Sequence, residues 1–188
     1  MFVNYKKALL MCNNLKGCQK DVEKLEKILN NFSKEVKITK KIDCYPKDEI
    51  IKFLQNVKSS KDSIYIHYSG HGVKRGRKVN GVNKILTAWL NPDGSTVTSD
   101  EIDKLLSDIN CNIILTTDCC HSETFGNYYT GKSSFIFIGT SKLGIISKSS
   151  VSNGGYLVNL FEDFLKNNIE INITNLKNKN LIIKSFFI

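Results

Sequence analysis

The chain has 188 residues, 41% hydrophobic and 24% charged, a globular composition that supplies one substantial core and excludes a disordered chain. Lys+Arg 27 against Asp+Glu 18 give a formal charge of +9, but the lysines are scattered through a sequence rich in Lys, Asn and Ile, so the charge reads as compositional bias and no nucleic-acid partner is expected. No apolar stretch approaches the roughly 20 residues of a membrane helix, and residues 1–7 lack the apolar core and cleavage site of a signal peptide; the expectation is a cytoplasmic protein with no membrane partner.

Residues 7–12 form an apolar run and predict a first strand, followed by a polar turn at 13–17. From 18 to 32, Val22, Leu25, Ile28 and Leu29 recur at helical spacing among charges. Residues 36–42 alternate apolar and polar, as a half-buried strand near a sheet edge does. Pro46 opens a second helix to about Val57, with Ile50, Phe53, Leu54 and Val57 on one face. Residues 63–68 are apolar on both faces and predict a central strand of a covered sheet. Basic residues from 73, the turn dipeptide Asn80-Gly81 and the run 85–90 predict a β-hairpin. After a turn at 91–94, Thr98 or Ser99 can cap a helix carrying Ile102, Leu105 and Leu106. A strand at 112–117, a loop at 121–133, a strand at 134–139 and a polar loop at 141–155 follow. Residues 155–166 predict an amphipathic helix with Leu157, Leu160, Phe161, Phe164 and Leu165, and 181–188 a final edge strand. Strands alternating with helices, without repeats or a linker, predict one α/β domain around a mostly parallel sheet, with its chemistry at the carboxyl ends of the strands.

The six cysteines are Cys12, Cys18, Cys44, Cys111, Cys119 and Cys120, with neither a disulfide-framework spacing nor a zinc-like CxxC pair. Reduced thiols are expected, and Cys12, Cys44 and Cys111, in or beside strand-like runs, read as small core residues. Two segments stand apart: Tyr68-Ser69-Gly70-His71-Gly72 and Asp118-Cys119-Cys120-His121-Ser122, each directly after an apolar strand. A thiolate attacks carbonyl carbon readily, and a separate imidazole can take its proton and return it to a leaving amine. Gly70 and Gly72 relieve crowding around His71, and the Gly72 N–H is placed to contribute to an oxyanion hole. Singly, His71 reads as a turn histidine and Cys120 as a buried cysteine; their matched strand-end positions favour the catalytic reading.

Cys120 follows His71 by 49 residues, close to the roughly 50 of caspases, but the local sequence is not the caspase Gln-Ala-Cys-Arg-Gly. The two segments instead resemble the metacaspase signatures Y-S-G-H-G and D-x-C-H-S-G. Leu15-Lys16-Gly17-Cys18-Gln19-Lys20-Asp21-Val22 is similar to a third, L-x-G-C-x-x-D-[AV]. The resemblance covers roughly residues 5–165. It implies a caspase-like fold without a prodomain, with a sheet of about six strands flanked by helices. Residues to about 133 form its large-subunit-like portion, and those from about 134 to 188 its small one.

The resemblance further implies a cysteine endopeptidase with His71 as general base, Cys120 as nucleophile, and the backbone N–H groups of Gly72 and Cys120 as oxyanion hole. Asp21 and Asp118, with Cys18 and Ser69 at the wall, match the S1 pocket that receives Arg or Lys. A cationic side chain entering a partly buried cleft needs charge-assisted partners, which carboxylates supply. Cys119 is then an inert neighbour, and His121, adjacent in sequence to the nucleophile, is expected to point elsewhere. Without the resemblance, Asp21 reads as an exposed first-turn helix acid and Asp118 equally as a strand-end cap.

Glu123 stands where the cysteine signature ends in glycine, and is either a perturbation of that loop or a tolerated surface acid. Calcium requires several oxygen ligands, preferably charged. The positions matching the family's calcium site are Asn83, Ser99, Asp100 and Asn127, of which only Asp100 is a carboxylate, so the expectation is no required cofactor and dispensable calcium. Lys74-Arg75-Gly76-Arg77-Lys78, Lys142 and Lys148 offer Arg/Lys-X bonds for self-cleavage, although solvated loop charge is the plainer reading. Expected partners are peptide substrates with Arg or Lys at P1, acted on by a monomer. The rival readings are an inactive caspase-like scaffold and an Asp-directed caspase.

Overall fold

The computed structural model describes residues 5–57, 63–146, 149–150 (backbone only) and 154–186. In chain order the elements are β1 (Tyr5–Cys12), α1 (Lys16–Phe32), β2 (Lys37–Ile42), α2 (Pro46–Gln55), β3 (Ser63–Ser69), β4 (Gly72–Val79), β5 (Val82–Leu90), β6 (Thr96–Thr98) and α3 (Ser99–Ser107). There follow β7 (Ile113–Asp118), a single 3₁₀ turn (Ser122–Thr124), β8 (Phe135–Gly139), β9 (Ser149–Ser150), β10 (Gly154–Gly155), α4 (Tyr156–Lys166), α5 (Ile173–Lys177) and β11 (Ile182–Phe186). Phe187 and Ile188 of the expected last strand, and Lys148, lie outside the described residues.

The main sheet has six strands in the order β11-β8-β7-β3-β1-β2. All neighbours are parallel except the edge pair β11–β8, which is antiparallel. Side-chain alternation divides the core in two. Leu9 and Met11 of β1 face α2, α3 and the hairpin with Ile64, Ile66, Leu115 and Phe137. Ala8, Leu10 and Cys12 face the opposite layer with Val22, Leu25, Leu157 and Phe161. β3 is buried along its length, as a central parallel strand covered on both faces must be. β2, lysine-rich and half-exposed, closes one edge, and such charge discourages further strand pairing.

The hairpin β4–β5 gains a third strand, β6, making a small antiparallel sheet. Three residues were too few to register as a strand in the sequence. Thr98 is the N-cap of α3, its N–H donating to Glu101 Oε2 at 2.9 Å. α1 begins at Lys16, two residues earlier than the periodicity predicts, from the uncapped Leu15. With no Ser, Thr, Asp or Asn at that cap, the sequence gives no start signal. No helix among the described residues is long and apolar enough to cross a membrane.

An aromatic column joins the hairpin to the sheet. Trp89 stacks on Tyr68 at 4.4 Å and on Phe125 at 4.6 Å between ring centroids, and Phe125 continues to Phe137 at 6.0 Å. Trp89 is fully buried, so Trp89→Ala is expected to destabilise the fold by about 3–5 kcal/mol. Urea unfolding checks this, and a loss below about 1 kcal/mol would show that the column is not a structural element.

Candidate active site

β3 and β7 run side by side in parallel, with Ser69 opposite Asp118, so the segments after them leave the sheet together. The Gly70 N–H donates to the Asp118 carbonyl at 3.2 Å, locking the two exits. At Gly72 a Cβ would lie 2.0 Å from the Cys120 carbonyl oxygen. Only glycine permits that approach, and it brings the Gly72 backbone, next to His71, against the Cys120 backbone. His71 is exposed and Cys120 half-buried. Both line one cleft of about 600 Å³, together with Asp21, Asp118, Cys18 and Ser69. Gly72 is buried just behind it.

The other candidates for each role are differently placed. Cys119 is 1% exposed, and burial pushes its thiol pKa far up, which disfavours the thiolate. His67 is wholly buried in β3, with Nδ1 2.8 Å from Thr116 Oγ1, and burial lowers its pKa to about 3. It is therefore neutral near pH 7. His121 does not line the cleft. It holds a left-handed conformation with φ 59°, its Nδ1 accepts the Gly144 N–H at 3.1 Å, and its own N–H donates to the Ile145 carbonyl at 3.1 Å.

The carboxylates are buried, not exposed. Asp21 is 0% exposed: Oδ2 accepts the Ser69 hydroxyl at 2.5 Å and Oδ1 the Gly155 N–H at 2.8 Å. Burial raises its pKa against the lowering effect of those two bonds. The exposed first-turn acid read from the residues alone is thereby corrected: Asp21 lies one turn into α1, on the face turned to the sheet. Asp118, 5% exposed, accepts the Leu157 N–H on Oδ2 at 2.7 Å, placing its charge at the start of α4 where the helix dipole favours it. Carboxylate oxygens accept more than one hydrogen bond, so these contacts leave capacity for an incoming cation. Cys18, half-buried at the wall, has its pKa raised by burial.

The sequence reading missed several parts of this site. Asn13 is buried at the end of β1; its Oδ1 accepts the His71 N–H at 2.8 Å and the Tyr68 hydroxyl at 2.7 Å, and its Nδ2 donates to the Leu90 carbonyl at 3.1 Å. It thus fixes the His71 turn to three strand ends. At Gly155 a Cβ would lie 2.1 Å from Asp118 Oδ2, so the Gly154-Gly155 pair makes room for the acids. That dipeptide directly before an amphipathic helix was the available signal.

Three of the residues matching a calcium site, Ser99, Asp100 and Asn127, are engaged by other partners. Asp100 is 1% exposed; Arg77 Nε stands 3.4 Å from its Oδ2, and the Thr98 hydroxyl donates to its Oδ1 at 2.5 Å. Arg77 Nη1 lies 2.9 Å from Glu101 Oε2, so a guanidinium already supplies positive charge there. Ser99 Oγ pairs with Thr124 Oγ1 at 2.8 Å, and Asn127 Oδ1 accepts from Lys184 Nζ at 2.6 Å.

The metacaspase, peptidase C14 domain profile matches residues 1–128. The chain belongs to that family, whose members are caspase-like cysteine peptidases with protein substrates. No curated protein matches. Among solved structures it is similar to protein GSU0716 from Geobacter sulfurreducens, at 15% identity and a TM-score of 0.74, over 96% of this chain and 92% of the other. At that identity the likeness shows the fold alone, and the fold is caspase-like.

Proposed function

We propose that this chain is a cysteine endopeptidase that hydrolyses peptide bonds after Arg or Lys, with Cys120 as nucleophile and His71 as general base. The observation that carries the reading is the convergence of a half-exposed thiol, an exposed imidazole and two buried carboxylates on one cleft at the carboxyl ends of β1, β3 and β7. In this mechanism His71 takes the Cys120 proton, and the sulfur forms a bond to the scissile carbonyl carbon. The N–H groups of Gly72 and Cys120 stabilise the oxyanion. As the intermediate collapses, the C–N bond breaks and His71 donates its proton to the leaving amine. Water, deprotonated by His71, then attacks the thioester, and the carboxylic acid and the thiol are released. Asp21 and Asp118 receive the cationic P1 side chain, with Cys18 and Ser69 at the wall.

The reading includes calcium independence, supported by the guanidinium of Arg77 at Asp100. Fluorogenic peptides differing only at P1 test both parts, with chelator and with millimolar calcium. Arg and Lys peptides are expected to turn over at similar rates in the two buffers, and Asp and Ala peptides to be poor. Preference for Asp would favour a caspase specificity, strong calcium stimulation would remove the second part, and no turnover by the folded protein would leave an inactive scaffold.

A further inference from the structure

β11 carries a lysine where the alternation of its core face calls for an apolar residue. On that face Ile182 packs against the core, and Phe186 meets Tyr129 and Phe135 at 5.8 and 6.0 Å between ring centroids. Lys184 stands between them, half-buried, opposite Phe137 of β8. An ammonium has three N–H donors, and Lys184 has an oxygen for each in one segment just past the nucleophile. Its Nζ donates to Asn127 Oδ1 at 2.6 Å, to the Phe125 carbonyl at 2.8 Å and to the Glu123 carbonyl. An inward lysine on an edge strand can serve simply to discourage strand addition, but that role needs no fixed partners.

The same segment is held through its N–H groups by an acid. Asp103 of α3 is 0% exposed; its Oδ1 accepts the Gly126 N–H at 2.8 Å and its Oδ2 the Tyr128 N–H at 3.0 Å. Carbonyl oxygens thus meet the cation and amide hydrogens the carboxylate, and the two opposite charges also favour one another. Gly126, at φ 79°, lets the segment come this close: a Cβ there would lie 3.4 Å from Lys184 Cδ. Glu123 adds a further hold, its Oε2 accepting the Leu143 N–H at 2.8 Å, and is therefore neither a perturbation of its loop nor an idle surface acid. Between Cys120 and this segment stands His121, at φ 59°. A non-glycine residue keeps that left-handed conformation only where its surroundings over-determine it. The aim of the Cys120 thiol therefore depends on what holds the chain directly beyond it.

We infer that Lys184 and Asp103 are positioning residues for the nucleophile: together they clamp residues 123–128, hold His121 in its left-handed bend and so keep Cys120 facing His71. The inference rests on the proteolytic reading above. It ties α3 and the last strand of the chain to the reacting sulfur, although neither residue lines the cleft.

Lys184→Met keeps the stem and removes the charge. For an Arg-P1 peptide it is expected to lower kcat by about 10- to 100-fold with KM within about threefold, since a small misplacement of a reacting group is felt in the chemical step. Lys184→Arg, which keeps a cation with N–H donors, should recover most of the loss. Ile182→Ala, on the same face of β11, loosens the strand without touching the clamped segment and should leave kcat unchanged. A second readout needs no turnover: the pH midpoint of Cys120 alkylation by iodoacetamide, followed by peptide mass. A facing imidazolium lowers a cysteine's midpoint, so Lys184→Met and Asp103→Asn should both raise it toward the free-thiol value of about 8.5. Charges acting directly on the thiol would instead move the two variants in opposite directions. In a His71→Ala background neither substitution should shift the midpoint further, because no imidazole remains to be aligned with. Opposite shifts, or shifts that persist undiminished without His71, overturn the inference, as does a folded Lys184→Met protein with wild-type kcat and midpoint. A wild type that hydrolyses no peptide overturns the proteolytic reading instead, and the midpoints still decide the clamp.

Discussion

Cys120→Ala is expected to reduce turnover of an Arg-P1 peptide by roughly 10³-fold or more, with unfolding by urea unchanged within about 1 kcal/mol. The residue is half-buried at the cleft that His71 also lines, and its loss removes the sulfur that stands there just past the end of β7. Cys119→Ala is the informative partner. Its thiol lies under Gly72, 1% exposed, with a pKa pushed up by burial, so the substitution should cost about 1 kcal/mol of stability and only a small factor in rate. Alkylation followed by intact and peptide mass should find Cys120 modified first. Equal loss of activity in the two variants, without unfolding, would mean that the nucleophile has been assigned to the wrong sulfur.

The parts of this site legible in the sequence are those that local chemistry marks. His71 and Cys120 each follow an uninterrupted apolar strand, and a parallel sheet brings such strand ends to one side. The alternation of 36–42 and the double-sided burial of 63–68 likewise reported edge and centre correctly, as β2 and β3 turned out. Asp21 was legible only by resemblance. It sits between Lys20 and Val22, and nothing local tells that its helix turns it toward Gly155, 134 residues away. Asn13 was lost for the same reason: its partners come from the ends of β3 and β5, so its role exists only once those strands are assembled. Glu123 was visible as a departure but not as an anchor, because its partner Leu143 lies in a segment of weak pattern. Sequence marks groups whose chemistry is local. The contacts that aim them are long-range.

The carboxylates carry the sharpest remaining test, because the structure gives them work without any substrate. Asp118 caps α4 through Leu157, and Asp21 bonds Ser69 and Gly155, so each could be retained for folding alone. Asp118→Asn keeps an oxygen for the Leu157 N–H, and Asp21→Asn keeps one for Gly155 while its amide faces a Ser69 hydroxyl that can rotate to accept. Stability should therefore fall by no more than about 1–2 kcal/mol in either variant. A buried charge pair that loses one member loses about 3–5 kcal/mol, so kcat/KM for an Arg-P1 peptide should drop by about 10²- to 10³-fold or more. For a peptide with a neutral P1 it should change little, and the ratio of the two is the decisive quantity. The pH profile adds a second reading. Burial raises the Asp21 pKa, and the protonated acid no longer attracts a cation, so the Arg-to-neutral ratio should fall as pH drops through that raised value. Asp21→Asn should flatten this dependence. If both variants keep the wild-type ratio, the acids are helix caps, and P1 selection must come from elsewhere in the cleft.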